Sequence, residues 1–160
     1  MLTIIVSGQC TTEIDEMTKQ KIVSTGYQKV GKGIKPLPKL FFKTSFIKID
    51  SLYFVNIIAE GSSAWSIDKN DIIYLKTEKD SIIKILNLKY EISTVKSGEP
   101  FSQGTDYIIC PLSISELLDI ELLKFLLVNK LTKIRVGIYD YQIIKPEIIQ
   151  EQINCILSAK

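Results

Sequence analysis

The sequence predicts an α+β fold: a meandering, mainly antiparallel sheet of about six to eight strands with two C-terminal helices packed on one face. A partly closed barrel capped by the last helix is the variant of the same plan. Three observations carry this reading. β-Branched and aromatic residues alternate with polar ones at period two through much of the chain. Short polar clusters, Asp50-Ser51, Asp68-Lys69-Asn70-Asp71 and Glu78-Lys79-Asp80, punctuate these runs as turns. Apolar spacing then changes to i, i+3, i+4 after Ser113 and again after Pro146. With 160 residues, 46% of them hydrophobic and 24% charged, the chain fits one globular domain.

Residues 1–10 admit two readings. Leu2-Thr3-Ile4-Ile5-Val6 followed by Ser7-Gly8-Gln9-Cys10 reads as a first strand ending in a turn. It also reads as the last part of an export signal, an apolar run followed by small residues and a Gln or Cys at the cut. The second reading needs a start codon upstream of Met1, and it makes Cys10 the candidate for processing and lipidation. No run reaches the roughly 18 apolar residues of a membrane-spanning helix.

Residues 11–160 form the single α+β domain. Its first part is polar, with a strand expected at 22–30 that places Val23, Thr25 and Tyr27 on one face. Gly31-Lys32-Gly33 lacks the spacing of a phosphate loop, and Pro36 and Pro38 impose an extended passage. Lys29, Lys32, Lys35 and Lys39 make this region basic, either as a solvated loop or as an anion-binding patch.

The organising stretch is 53–92, read as three strands at 53–60, 72–77 and 81–92. A strand at 40–49 puts Phe42, Thr44, Phe46 and Lys48 on one face and turns at Asp50-Ser51 into the strand at 53–60. Gly61-Ser62-Ser63-Ala64 before Trp65 suggests a bend where the chain leaves the sheet. Trp65 is the only tryptophan, and it is either a core plug or a partner contact. Ile73 and Leu75 should face the same side as Ile83 and Ile85. The loop at 96–106 makes Phe101 a second candidate for partner contact, by location alone. After a short strand at 107–111, Ser113-Ile114-Ser115-Glu116 reads as a capping box that opens a helix to about residue 129. That helix is apolar around much of its girth, so 114–127 offers two-sided burial or a homodimer surface. Residues 131–144 give one long strand or a hairpin. Pro146 opens a last helix whose buried stripe is Ile149, Ile153 and Ile156.

The residue inventory constrains chemistry more than fold. There is no histidine, so Ser-His-Asp and Cys-His nucleophile pairs and histidine metal sites are out of reach. No catalytic residue, metal ligand set or cofactor is indicated. Carboxylate chemistry would have to use residues such as Glu60, Asp106 and Asp140, which stand near strand ends. Asp68-Lys69-Asn70-Asp71 lacks the glycine and distal glutamate of a calcium loop. Cys10, Cys110 and Cys155 match no zinc or redox spacing. Cys110 and Cys155 read as buried small hydrophobes, with a bridge between them as the other option. The net charge is +2, and the cations are 19 lysines and one arginine, Arg135. Base readout favours arginine, so specific nucleic-acid recognition is disfavoured.

Several phrases in order resemble a loose group of small exported proteins of gram-negative bacteria. Asp15-Glu16-Met17-Thr18 is similar to that group's DEFTG opening, and Trp65 to Asp71 to its SIDKGD turn. The hairpin at 72–86 resembles its LxLKLxDGEIITL segment, Pro111 to Glu116 its YPISEEDL stretch, and Thr132 to Val136 its TKIRI strand. The chain departs from the pattern at Asn70 and Lys79, where the group has glycine, and in extra residues at 114–129. The group brings no catalytic motif; the resemblance implies export to the periplasm or cell envelope.

These readings lead to a non-catalytic binding or interaction module of the envelope, touching membrane only if lipid-anchored at Cys10, with an unspecified protein or small ligand as partner. The alternatives are a cytosolic inhibitor or immunity-type protein and, third, an enzyme working through carboxylates.

Overall fold

In the computed structural model, residues 4–6, 10–34, 39–95 and 108–159 are described; Phe101 and Asp106 lie outside them. In chain order the elements begin with β1 (Ile4–Val6), β2 (Cys10–Ile14), β3 (Lys21–Thr25), β4 (Gln28–Gly33), β5 (Phe41–Ile49) and β6 (Leu52–Gly61). Then come β7 (Ser66–Ile67), β8 (Ile72–Thr77), β9 (Ile82–Leu86), β10 (Glu91–Ile92) and β11 (Cys110–Leu118). The chain ends with α1 (Ile120–Val128), β12 (Leu131–Val136), β13 (Tyr139–Ile143) and α2 (Pro146–Ser158). The fold is α+β. Eleven strands form one antiparallel sheet, and β7 and β10 form a second, two-stranded one.

The sheet branches at β5. One edge of β5 pairs with β6 from Phe42 to Ile49, and β6 pairs in turn with β11. The other edge is shared: β3 covers Ile47 to Ile49 and β4 covers Phe41 to Thr44. The strand expected at 22–30 is therefore two strands, broken at Gly26 and Tyr27. From β3 the sheet runs on to β2 and β1; from β4 it runs through β13, β12 and β8 to β9. The three strands read from 53–92 do not lie side by side, because β6 and β8 sit on opposite sides of β5. The sheet stays open between β9 and β11. That seam is crossed by the Leu88 N–H donating to Glu116 Oε1 at 3.2 Å and the Thr94 N–H donating to the Pro111 carbonyl at 3.0 Å.

The hairpins follow the sequence closely. Asp50 adopts φ 53° in the tight β5–β6 turn, a conformation that Asp tolerates better than most residues. Ile73 pairs with Ile85 and Leu75 with Ile83, as the alternation requires. Residues 131–144 form a hairpin turning at Gly137, whose φ is +55°.

One expected element is different. The capping-box residues Ser113 to Glu116 belong to β11, where Leu112, Ile114, Glu116 and Leu118 are buried and Ser113, Ser115 and Leu117 are exposed. Period two wins because β6 offers a full strand edge, and all of β11 pairs along it. The helix starts only at Ile120, capped by Asp119, whose carboxylate accepts from the Glu121 N–H at 2.7 Å. A single helix spanning 114–127 is therefore corrected: residues 114–118 are strand, and the helix begins at Ile120.

The final helix is as expected. Ile149, Ile153 and Ile156, all at most 2% exposed, pack on the sheet, each worth about 1.5–3 kcal/mol of burial. Gln152 lies fully buried between them and is satisfied. It accepts from Thr44 Oγ1 at 2.7 Å and donates to the carbonyls of Thr44 at 2.9 Å and Gly26 at 3.1 Å. These bonds fix the helix register on β5. Leu123 and Leu126 of α1 are buried, and α1 packs against α2. A cavity of about 20 Å³, lined by Phe42, Ile57, Leu75, Leu126 and Ile149 among others, marks where sheet and helices meet.

Cys10, at the start of β2, forms a disulfide with Cys155 of α2, their Cα atoms 6.0 Å apart. Cys110 is free and fully buried. The bridge is thus neither of the two fates expected of Cys155, and it engages Cys10, the residue that the export reading makes the candidate for processing and lipidation.

Candidate functional site

Alternate residues of β13, β12, β8 and β9 point away from the core, and strand register sets them in rows. One row runs Lys32, Gln142, Lys133, Lys76 and Ile82 across β4, β13, β12, β8 and β9. The next runs Asp140, Arg135, Tyr74 and Lys84. These two rows thus hold five cations and one carboxylate, Asp140. Lys76 reaches Asp80 at the β8–β9 turn, 2.8 Å away, yet its side chain remains 45% exposed. Lys133 stands directly opposite Lys76, an arrangement that costs stability unless an anion lies nearby.

Arg135 is held rigidly. Its Nε donates to Asp140 Oδ1 at 2.6 Å and its Nη2 to Oδ2 at 2.9 Å. The guanidinium bond holds the Asp140 carboxyl below the usual carboxylate range, so the pair persists into acid. Lys84 Nζ lies 6.0 Å from the centre of the Tyr74 ring, at the outer limit of a cation–π contact. Two shallow grooves furrow this face. One, of about 410 Å³, is lined by Tyr74, Lys76, Ile82, Lys133, Arg135 and Asp140. The other, of about 460 Å³, is lined by Lys76, Thr77, Glu78, Asp80, Thr132, Lys133 and Gln142 with Ile34. Lys76 and Lys133 line both and form the ridge between them.

Of the residues singled out in the sequence, Asp140 lines this face, whereas Trp65 and Glu60 fall elsewhere. Trp65 is 7% exposed, and its Nε1 donates to the Cys110 carbonyl at 2.9 Å. Its ring meets Tyr139 edge-on at 4.8 Å, and Gly61 lies so close that an added Cβ would stand 2.5 Å from Nε1. Trp65 therefore sits in the core. Burial would raise the Tyr139 phenol, but hydrogen bonds from Ser62 and Ser63 outweigh it and bring it below the ordinary tyrosine range. The carboxylates are occupied separately: Glu60 Oε2 accepts from the Phe41 N–H at 2.8 Å, and Asp140 is bound to Arg135.

Glu116, expected to cap a helix, is instead a buried carboxyl at the seam of the sheet. Burial pushes it above its ordinary range, partly offset by the Leu88 N–H and by Lys89 and reinforced by Glu91. Among the described residues no group of three or more Cys, Asp or Glu side chains is arranged to hold a metal ion. Among the described residues no helix is long and apolar enough to cross a membrane.

Sequence reasoning missed the basic face, although part of its signal was present. Tyr74-Leu75-Lys76 and Lys133-Ile134-Arg135 each place two polar residues on one side of a strand. What was not readable was that β8 and β12 are neighbours. No protein-family model matches the chain, and no curated protein or solved structure matches it.

Proposed function

We propose that this protein is a non-catalytic interaction module of the periplasm or cell envelope, binding a partner through the outward face of β13, β12, β8 and β9. The observation that carries the binding part is the Lys76–Lys133 ridge: two lysines fixed opposite each other between two grooves, on rigid strands. A backbone already ordered by sheet pairing loses little freedom when a partner arrives. The compartment is supported by the Cys10–Cys155 disulfide, since such bonds persist in oxidising surroundings and are rare where thiols are kept reduced. The order of phrases shared with small exported proteins points the same way.

The test is fractionation of native cells with thiol alkylation at lysis, followed by intact mass. Recovery from the periplasmic or envelope fraction with Cys10 and Cys155 protected from alkylation is the expected result. Recovery from the cytosol with both cysteines alkylated would overturn the compartment. For binding, a photo-crosslinker at position 133 should capture a partner in those cells, and Lys76→Glu should abolish the capture. A capture indifferent to that change would overturn this face as the binding surface.

A further inference from the structure

We infer that the occupant of this face is an acidic segment of a partner protein, seated across the Lys76–Lys133 ridge with its carboxylates on both sides. This rests on the interaction-module reading above and adds the chemistry of the partner. Charge complementarity is the argument. Lys32, Lys133, Lys76 and Lys84 lie on two adjacent rows; of the carboxylates that line the grooves, Asp140 is engaged by Arg135, Asp80 by Lys76, and Glu78 accepts from the Lys130 N–H at 3.5 Å. Lys133 therefore faces Lys76 with no carboxylate of its own row between them. A carboxylate arriving there would relieve a repulsion as well as make a new attraction.

The grooves set the rest of the recognition. Tyr74 and Ile82 give the first groove an apolar floor beside its cations, which suits an acidic residue followed by an apolar or aromatic one. Arg135 contributes direction as well as charge. Asp140 occupies Nε and Nη2, which leaves Nη1 and one Nη2 hydrogen for a second carboxylate. Lysine point charges, an arginine fork already held by Asp140, and Tyr74 as the one tyrosine lining the grooves suit a protein chain better than a nucleic-acid strand.

The experiment uses the oxidised full chain and a fluorescein-labelled peptide of alternating Glu and Leu. Its Gln-for-Glu twin and a single-stranded oligonucleotide of matched charge are the controls. The expected result is anisotropy binding about tenfold or more tighter for the Glu peptide than for either control, weakening with added salt. Lys133→Glu and Lys76→Glu should each cost about tenfold, while Lys69→Glu, the same charge change on the β7–β8 loop, should stay within about twofold. Equal binding of the oligonucleotide, or equal losses at all three positions, would overturn the acidic-peptide assignment in favour of a diffuse charge effect. Mapping the segment captured by the crosslinker at position 133 separates this inference from its premise. An acidic captured segment supports both. A captured segment without excess Asp or Glu overturns the inference and leaves the interaction module standing. No capture above that from a crosslinker at Thr11 overturns both.

Discussion

Glu116 is only 2% exposed, and across the seam it accepts from the Leu88 N–H. Because burial raises its pKa above the ordinary 4.5, the native state holds this proton when the unfolded chain has already released it. Stability from this group is therefore greatest below 4.5 and falls as pH rises through the window up to the native value. Gln at this position keeps an acceptor for Leu88 and removes the titration. Glu116→Gln is expected to melt higher than the native protein at pH 7.5. The gap should narrow toward pH 4. A gap that stays constant from pH 4 to 8 would show that Glu116 is not the titrating group. Nothing local revealed this, because Ser113 and Glu116 match a helix signature, and only the distant strand β6 decides against it. Trp65 was half legible. The small residues before it announced a bend, but the Tyr139 and Gly137 that enclose it come from a hairpin far along the chain.

Hairpins were the elements most readable in advance, and the reason is range. β5–β6, β8–β9 and β12–β13 are each set by one turn and the alternation on either side, so neighbouring residues hold all the information. Helix α2 was readable for a similar reason: Pro146 marks its start and the isoleucine stripe its buried face. By contrast, β11 and the pairing of β12 with β8 depend on residues more than 40 positions away. The boundary between β11 and α1 can be checked directly. Asp119→Ala should cost about 1 kcal/mol, the usual loss of an N-cap. Ser113→Ala, at an exposed strand position, should stay within about 0.5 kcal/mol. Chemical denaturation of both variants distinguishes this from a helix capped by Ser113, for which the two costs would be exchanged.

At the scale of the molecule, the Cys10–Cys155 bond closes a loop with a sequence separation of 145. A cross-link over so long a loop restricts the unfolded chain strongly, by about 5 kcal/mol in the chain-entropy account. Dithiothreitol is expected to lower the melting temperature by many degrees, and a Cys10→Ser, Cys155→Ser double variant should melt like the reduced protein and ignore the reductant. A double variant as stable as the oxidised native chain would mean that the bond contributes nothing. Fold class was legible because it follows from local periodicity summed along the chain. The branch at β5, the open seam and the basic face were not, since each is a relation between strands that the chain visits at different times. The same bond makes the chain from Cys10 to Cys155 a ring. A protease that cuts it once anywhere within that ring produces no separable fragments: the product would run as one species without reductant and as two with it. A nicked molecule would also keep its β2 hairpin and last helix together, and with them a route back to the folded state.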